Sequence, residues 1–221
     1  MGDESEQVLA GMPVRWREIV PGCLGLWLPV RPDDLLDALD EETFRATDEK
    51  LPYFATLWPA GKALAERVLE DPDLDGASVL DLGCGVGVVG LAAALRGGRV
   101  TFLDWEPKSL EIVALAAREQ GLAVAGLVAA DWRDPPPLGA FDRILAADVL
   151  YEARNVSAIA RFLRAHLAPR GEAWIAEPGR DPAEAFPATA EAEGLALVAS
   201  LPLSPRADGG GHVLHRLQRG R

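Results

Sequence analysis

Cysteine is nearly absent. Cys23 and Cys84 are the only two in 221 residues, too few and too far apart for a disulfide framework or a metal site built on cysteine pairs. That suits a reducing, cytoplasmic setting. Histidine is as sparse, and His166, His212 and His215 are too scattered to complete a ligand set, so no metal is expected. Basic charge is short as well: 22 Lys and Arg against 34 Asp and Glu leave a formal charge of −12. Such a field repels phosphate backbones and anionic membrane surfaces, and no basic run offsets it, which argues against nucleic-acid and membrane partners. Residues 1–50 hold twelve acidic and five basic side chains, so a positively charged partner would be steered toward them. No apolar run reaches the roughly 20 residues that a membrane helix needs. The opening Met-Gly-Asp-Glu-Ser-Glu also lacks the basic-then-apolar pattern of a secretion signal.

Nearly half of the residues are apolar and a quarter are charged, the composition of a folded globular chain. Residues 13–20 and 23–30 are predicted to form two short strands around a Pro21-Gly22 turn, followed by an acidic helical segment carrying Leu35, Leu36 and Leu39. Residues 1–50 are expected to form a β-hairpin and helix cap, and residues 51–221 the main domain. That domain starts with a helix at Pro59, where proline at the first helical position costs no hydrogen bond. Strand and helix then alternate: strand 78–82, helix 88–95, strand 99–104, helix 107–120, strand 124–129 and strand 141–148. A helix from Glu152 follows, with Val156, Ile159, Ala160, Leu163 and Leu167 on one face, ended by Pro169 and Gly171. Strand 172–177, a helix over 182–193, and strands 195–203 and 213–218 complete the chain. The last two strands are joined by too few residues for a helical crossover and must pair antiparallel. The fold class is α/β, with a Rossmann-like, mostly parallel seven-stranded sheet that closes on an antiparallel hairpin.

Gly83, Gly85 and Gly87 stand between a strand end and a helix start, where missing Cβ atoms let the chain turn and let a polar ligand reach exposed N–H groups. Gly85 to Gly90 also spells G-x-G-x-x-G, and Asp104 lies at the spacing of a dinucleotide ribose contact, so the loop alone does not choose its ligand. Asp81 favours S-adenosylmethionine (SAM) over NAD, because an acid two residues before the first glycine can hold the methionine amino group. The closing hairpin leaves no domain for a nicotinamide and its substrate. Asp104 can accept from both ribose hydroxyls, with Trp105 beside it for an adenine face. Asp131-Trp132, after the third strand, can accept from the adenine amine and cover the ring. Asp148-Val-Leu-Tyr151 follows the fourth strand, where a carboxylate and a phenol can attract an amine and orient its lone pair. A purely structural part for Tyr151, capping the next helix, stays open.

Four segments together carry a resemblance: Pro52-Tyr-Phe-Ala-Thr-Leu-Trp58-Pro-Ala-Gly-Lys-Ala-Leu, Val79-Leu-Asp-Leu-Gly-Cys-Gly-Val-Gly, Ala147-Asp-Val-Leu-Tyr151 and Ile175-Ala-Glu-Pro-Gly-Arg180. Over about residues 50–203 the chain resembles the seven-β-strand, class I protein-lysine methyltransferases, in particular the group acting on the electron-transfer flavoprotein β subunit. The resemblance implies that Trp58 touches the methionine end of SAM, that Asp148 and Tyr151 border a lysine channel, and that S-adenosylhomocysteine is the product. The expected cofactor-binding set is Trp58, Asp81, Gly83, Gly85, Gly87, Asp104, Trp105, Asp131, Trp132 and Asp148, and the expected catalytic pair is Asp148 and Tyr151. The expected activity is methyl transfer to a protein lysine. A small-molecule N- or O-methyltransferase and a non-catalytic SAM-binding protein are the alternatives.

Overall fold

The computed structural model describes residues 6–9, 11–37, 41, 51–205 and 211–220. Its central sheet has seven strands: β4 (Ser78–Leu82), β5 (Arg99–Asp104), β6 (Gly126–Ala129), β7 (Phe141–Ala147), β8 (Leu167–Glu177), β9 (Leu195–Pro205) and β10 (Gly211–Arg219). They lie in the order β6-β5-β4-β7-β8-β10-β9. The first five run parallel, and β10 pairs antiparallel with both β8 and β9. The α/β class, the strand number and the closing hairpin are those expected. Chain order reverses at β4, between β5 and β7. In open sheets of this kind the crevice at such a switch point, beyond the carboxyl ends of the strands, is where ligands bind.

A short helix α1 (Asp33–Asp37) precedes α2 (Pro59–Leu69), α3 (Val88–Leu95), α4 (Pro107–Glu119) and α5 (Ala153–His166). Pro59 opens α2 and Pro107 opens α4, each where the missing N–H has no helical partner to lose. On α5, Val156, Ile159, Ala160 and Leu163 are buried, while Arg154, Arg161 and Arg164 face outward. This helix ends at His166, and Leu167 already belongs to β8, paired with Phe141. The expectation had left Leu167 in the helix. Pro169 disfavours helical backbone at the residue before it, which draws the chain into extended conformation one step earlier than the apolar spacing suggests. The single helix expected over 182–193 is two, α6 (Asp181–Glu184) and α7 (Phe186–Ala192). Pro187 can neither donate to the carbonyl of Ala183 nor fit against it, so the helix restarts there.

At the N-terminus the expected hairpin is present as β2 (Met12–Val20) and β3 (Leu24–Pro29), turning at Gly22 with φ 68°. An additional strand, β1 (Glu6–Leu9), pairs with β2. Its four residues are largely exposed, so no apolar alternation announces it. Leu39 lies outside the described residues. Met12, Val14, Leu24, Leu26 and Trp27 are buried in one cluster with Val86, Val89, Val113 and Ala116 of the main unit. The Gln120 side chain ties this sheet down, accepting from the N–H of Gly25 at 2.9 Å and donating to its carbonyl at 3.0 Å. No helix among the described residues is long and apolar enough to cross a membrane.

Candidate active site

At the carboxyl edge of the sheet, around the switch point, lies a cavity of about 330 Å³. It is lined by Tyr53, Phe54, Trp58, Gly83, Gly85, Asp104, Trp105, Trp132, Asp148, Tyr151, Glu152 and Arg180, among others. Two narrower clefts adjoin it. One holds Asp81 and shares Trp58, Gly83 and Gly85 with the cavity; the other holds Asp131 and shares Trp105, Trp132, Tyr151 and Glu152. All the expected residues except Gly87 therefore line one crevice, with Asp81 and Asp131 at its two ends. Gly87 sits at the helix start with φ 81°, and a Cβ there would come within 2.6 Å of Val113 Cγ2, so its bareness serves the turn and the packing. At Gly83 a Cβ would meet the Trp132 ring and Val149 at 3.0 Å, which keeps the floor of the cavity open.

Asp104 ends β5 and is buried. One carboxylate oxygen accepts from the N–H of Gly85 at 2.9 Å and the other from that of Glu106 at 3.0 Å, so the acid also holds the glycine loop in place. Ser109 completes that support by donating to the carbonyl of Gly85 at 2.6 Å. Nothing in the sequence singles out Ser109, because its role depends on α4 returning beside the loop. Burial raises Asp104 to about 6 against the pull of those N–H groups. Burial likewise raises Asp81 to about 7, opposed by the bond from the Gly90 N–H at 2.8 Å and reinforced by the charge of Asp104. Cys84, between the glycines, is a buried neighbour of Ser109, and its thiol is pushed well above its ordinary range by burial and the two acids. It is no nucleophile. Asp131 accepts from its neighbour Arg133, from the main-chain N–H at 2.8 Å and from the guanidinium at 2.6 Å.

Asp148 is the one described non-glycine residue with positive φ, at 58°. Its N–H donates to the carbonyl of Ala176 at 3.0 Å, which fixes the turn at the end of β7. Its carboxylate faces the cavity, and the buried Oδ2 has no hydrogen-bond partner. Burial raises this carboxyl above the usual range, while the charge of Arg180 and the amides of Ala60 and Gly61 at the start of α2 pull it down. Tyr151 stacks edge-on against Tyr53 at 5.6 Å, and Tyr53 against Trp58 at 5.7 Å, so three aromatic rings form one wall. The indole of Trp58 donates to the Tyr53 carbonyl at 3.0 Å, closing the segment that the sequence presents as Pro52 to Trp58. The N-cap of α5 is Glu152, with no side-chain capping bond. The Tyr151 hydroxyl is pushed up to about 12, chiefly by burial and then by Glu152. It stays neutral over the physiological range.

The donor set fits SAM. Two buried acids, Asp81 and Asp104, carry pKa values raised by burial, the glycine loop is bare, and the indole N–H of Trp132 is buried with no acceptor. A cationic ligand with hydroxyls and an aromatic base answers each of these features. Acidification should therefore weaken its binding. As pH falls through about 7 and then about 6, Asp81 and Asp104 take up protons and lose the charge that attracts an amino group and the lone pairs that accept from hydroxyls. Calorimetry at pH 8 and pH 5.5 should show roughly tenfold weaker SAM binding at the lower pH; equal affinities would detach both acids from the ligand. Stability of the ligand-free chain moves the opposite way. Acids whose folded pKa lies above 3.8 destabilise the fold as they ionise, so stability falls as pH rises from about 4 to about 7.

Comparison with known proteins agrees with this geometry. Residues 79–171 match the methyltransferase-domain family. The chain is 33% identical to the zebrafish (Danio rerio) protein N-lysine methyltransferase METTL21A over 123 residues, 52% of this chain and 56% of that one. It is 32% identical over 132 residues to the zebrafish electron transfer flavoprotein beta subunit lysine methyltransferase, covering 58% and 51%. It is also 32% identical over 126 residues to a ubiquinone biosynthesis O-methyltransferase of Xanthomonas euvesicatoria pv. vesicatoria, covering 56% and 52%. The chain spans about half the length of these relatives. In fold it superposes on magnesium protoporphyrin IX methyltransferase (ChlM) from Synechocystis with bound SAM, at a TM-score of 0.60 and 18% identity, over 83% of this chain and 99% of that one. By fold and matched domain, this chain resembles the class I, SAM-dependent methyltransferases, and among them the protein-lysine methyltransferase group which includes the electron-transfer flavoprotein β-subunit enzymes.

Proposed function

We propose that the chain methylates the side-chain amine of a lysine in another protein. The observation that carries this reading is the pairing, in one cavity, of a buried, partly unpartnered carboxylate at Asp148 with the aromatic wall of Tyr53, Trp58 and Tyr151. A carboxylate attracts an ammonium as it approaches, and aromatic walls strip its water. Lysine in water has a pKa of about 10.4, and desolvation among these rings favours the neutral, nucleophilic form. SAM supplies an electrophilic methyl group on a sulfonium. The Tyr151 hydroxyl, neutral throughout, can hold the amine by a hydrogen bond and align it, so positioning provides much of the acceleration. Glu177 is a weak base. Despite its burial, hydrogen bonds from His215 and the Gly179 N–H keep it below its ordinary pKa, so the released proton goes to water. We place Asp81 at the amino end of the cofactor, Asp104 and Trp105 at its ribose, and Asp131 and Trp132 at its adenine.

The similarity to lysine methyltransferases supports this reading, and the similarity to an O-methyltransferase supports a second one, a small-molecule acceptor. Incubation with radiolabelled SAM and a cell extract separates them. Label in a discrete protein band is the expected result, and label confined to small molecules would replace the lysine reading by the second. Binding of SAM with no label anywhere would leave a binding protein. At the acceptor side, Tyr151→Phe should keep SAM affinity and melting temperature while turnover falls by about one to two powers of ten, the loss of one orienting hydrogen bond. Tyr151→Ala should lose more. Wild-type turnover in a stable Tyr151→Ala variant would remove this residue from the site.

A further inference from the structure

Arg180 occupies an unusual position in the cavity. It follows Gly179, whose φ of 79° lets the chain turn out of β8, and it precedes the four-residue helix α6. From there its guanidinium reaches back across the mouth: one terminal nitrogen lies 3.5 Å from Asp148 Oδ1, and Cζ lies 5.4 Å from the centre of the Trp58 ring. The Asp148 side chain is 4% exposed and that of Arg180 is 34% exposed, so the acid is fixed inside and the arm reaches in from solvent. The groups that bind this arm, a buried carboxylate on one side and an indole face on the other, are those an alkylammonium requires. A guanidinium cannot deprotonate, so it cannot itself become an acceptor in the way an amine can.

We propose that Arg180 is an internal occupant of the cation subsite formed by Trp58 and Asp148, and that it sets acceptor choice because a primary alkylammonium must displace it. The inference rests on the lysine reading above and adds a specificity residue to it. Displacement by a cation leaves the buried acid paired, and the arm that gives way is itself one-third exposed and can return to water. An incoming lysine exchanges one cation for another at the same carboxylate and ring, whereas a neutral acceptor has nothing to offer in place of the guanidinium. The second carboxylate oxygen of Asp148, buried and unpartnered while Arg180 is docked, gives the newcomer a contact that the arm does not make.

The test uses n-butylammonium as the lysine mimic, titrated calorimetrically into the whole chain saturated with S-adenosylhomocysteine. Arg180→Ala and Arg180→Gln should each bind it about tenfold more tightly than wild type, the equivalent of one cation–π contact released from competition. Adding Asp148→Asn to Arg180→Ala should abolish the gain. Unchanged or weaker n-butylammonium binding in both single variants, with only a lower melting temperature, would overturn the proposal and leave Arg180 as a structural ion pair. Gain of n-butyrate binding by wild type over Arg180→Ala would also overturn it, since the arm would then recruit an anionic acceptor. Because the readout is binding of a small cation, it can succeed even if the radiolabel assay finds no methylated protein, in which case the lysine reading alone would fall.

Discussion

Asp104→Ala is expected to bind SAM roughly 1.5–3 kcal/mol more weakly than wild type, about 10- to 150-fold in Kd, the range for hydrogen bonds to a charged group. The structure enlarges the reason for this loss. The same carboxylate that can accept from ribose hydroxyls also accepts from the N–H groups of Gly85 and Glu106, so its removal frees the glycine loop as well as the ligand. Asp104→Asn should be no milder, because its amide NH2 would point a donor at one of those two N–H groups. Folding should survive in both variants, since burial has already raised this carboxyl to about 6 and its loss removes a desolvated charge. Calorimetric titration beside a melting curve checks both halves. Unchanged affinity in a folded variant would move the ribose contact elsewhere.

Gly90→Ala should be the most damaging single change in the loop-to-helix region. An added Cβ would lie 2.3 Å from a ring carbon of Phe102 and 2.8 Å from Asp81 Oδ2, in an α3–β4–β5 contact where all partners are buried. Overpacking of this kind costs roughly 1–3 kcal/mol. The cofactor should suffer too, because the Gly90 N–H that anchors Asp81 would shift with the helix. A lower melting temperature together with weaker SAM binding is the expected pair of results. A variant of native stability would show that the helix can move aside. The third glycine of G-x-G-x-x-G therefore serves close packing of helix on sheet, which a SAM site and a dinucleotide site need equally, and this is why the motif did not distinguish the two ligands.

Much of the site was legible because strands end where apolar runs end. Asp81, Asp104, Asp131 and Asp148 each lie on or just beyond a parallel strand, and parallel strands deliver their carboxyl ends to one edge. Reading the strands thus placed four acids and two tryptophans near one crevice without coordinates. Tyr53, Ser109 and Arg180 were not assigned roles in this way, since each acts across a contact between elements that sequence spacing does not relate: Tyr53 against Tyr151, Ser109 under Gly85, Arg180 over Trp58. Strand β1 and the break at Pro187 escaped for local reasons, one lacking an apolar face and the other hidden inside a run of good helix formers.

By itself the sequence determined the order of strands and helices, the bare glycine turn and the edge on which the acids stand, because these follow from hydrophobic period, proline and glycine chemistry, and chain direction. Only the tertiary structure decided which groups face one another across the crevice: that the carboxylate of Asp104 also serves its own loop, that Tyr151 joins Tyr53 and Trp58 of a distant segment in one aromatic wall, and that an arginine lies in the position suited to a cationic acceptor. Such contacts depend on how far each side chain reaches and on what else is buried beside it, and those are properties of the packed chain that no local pattern records.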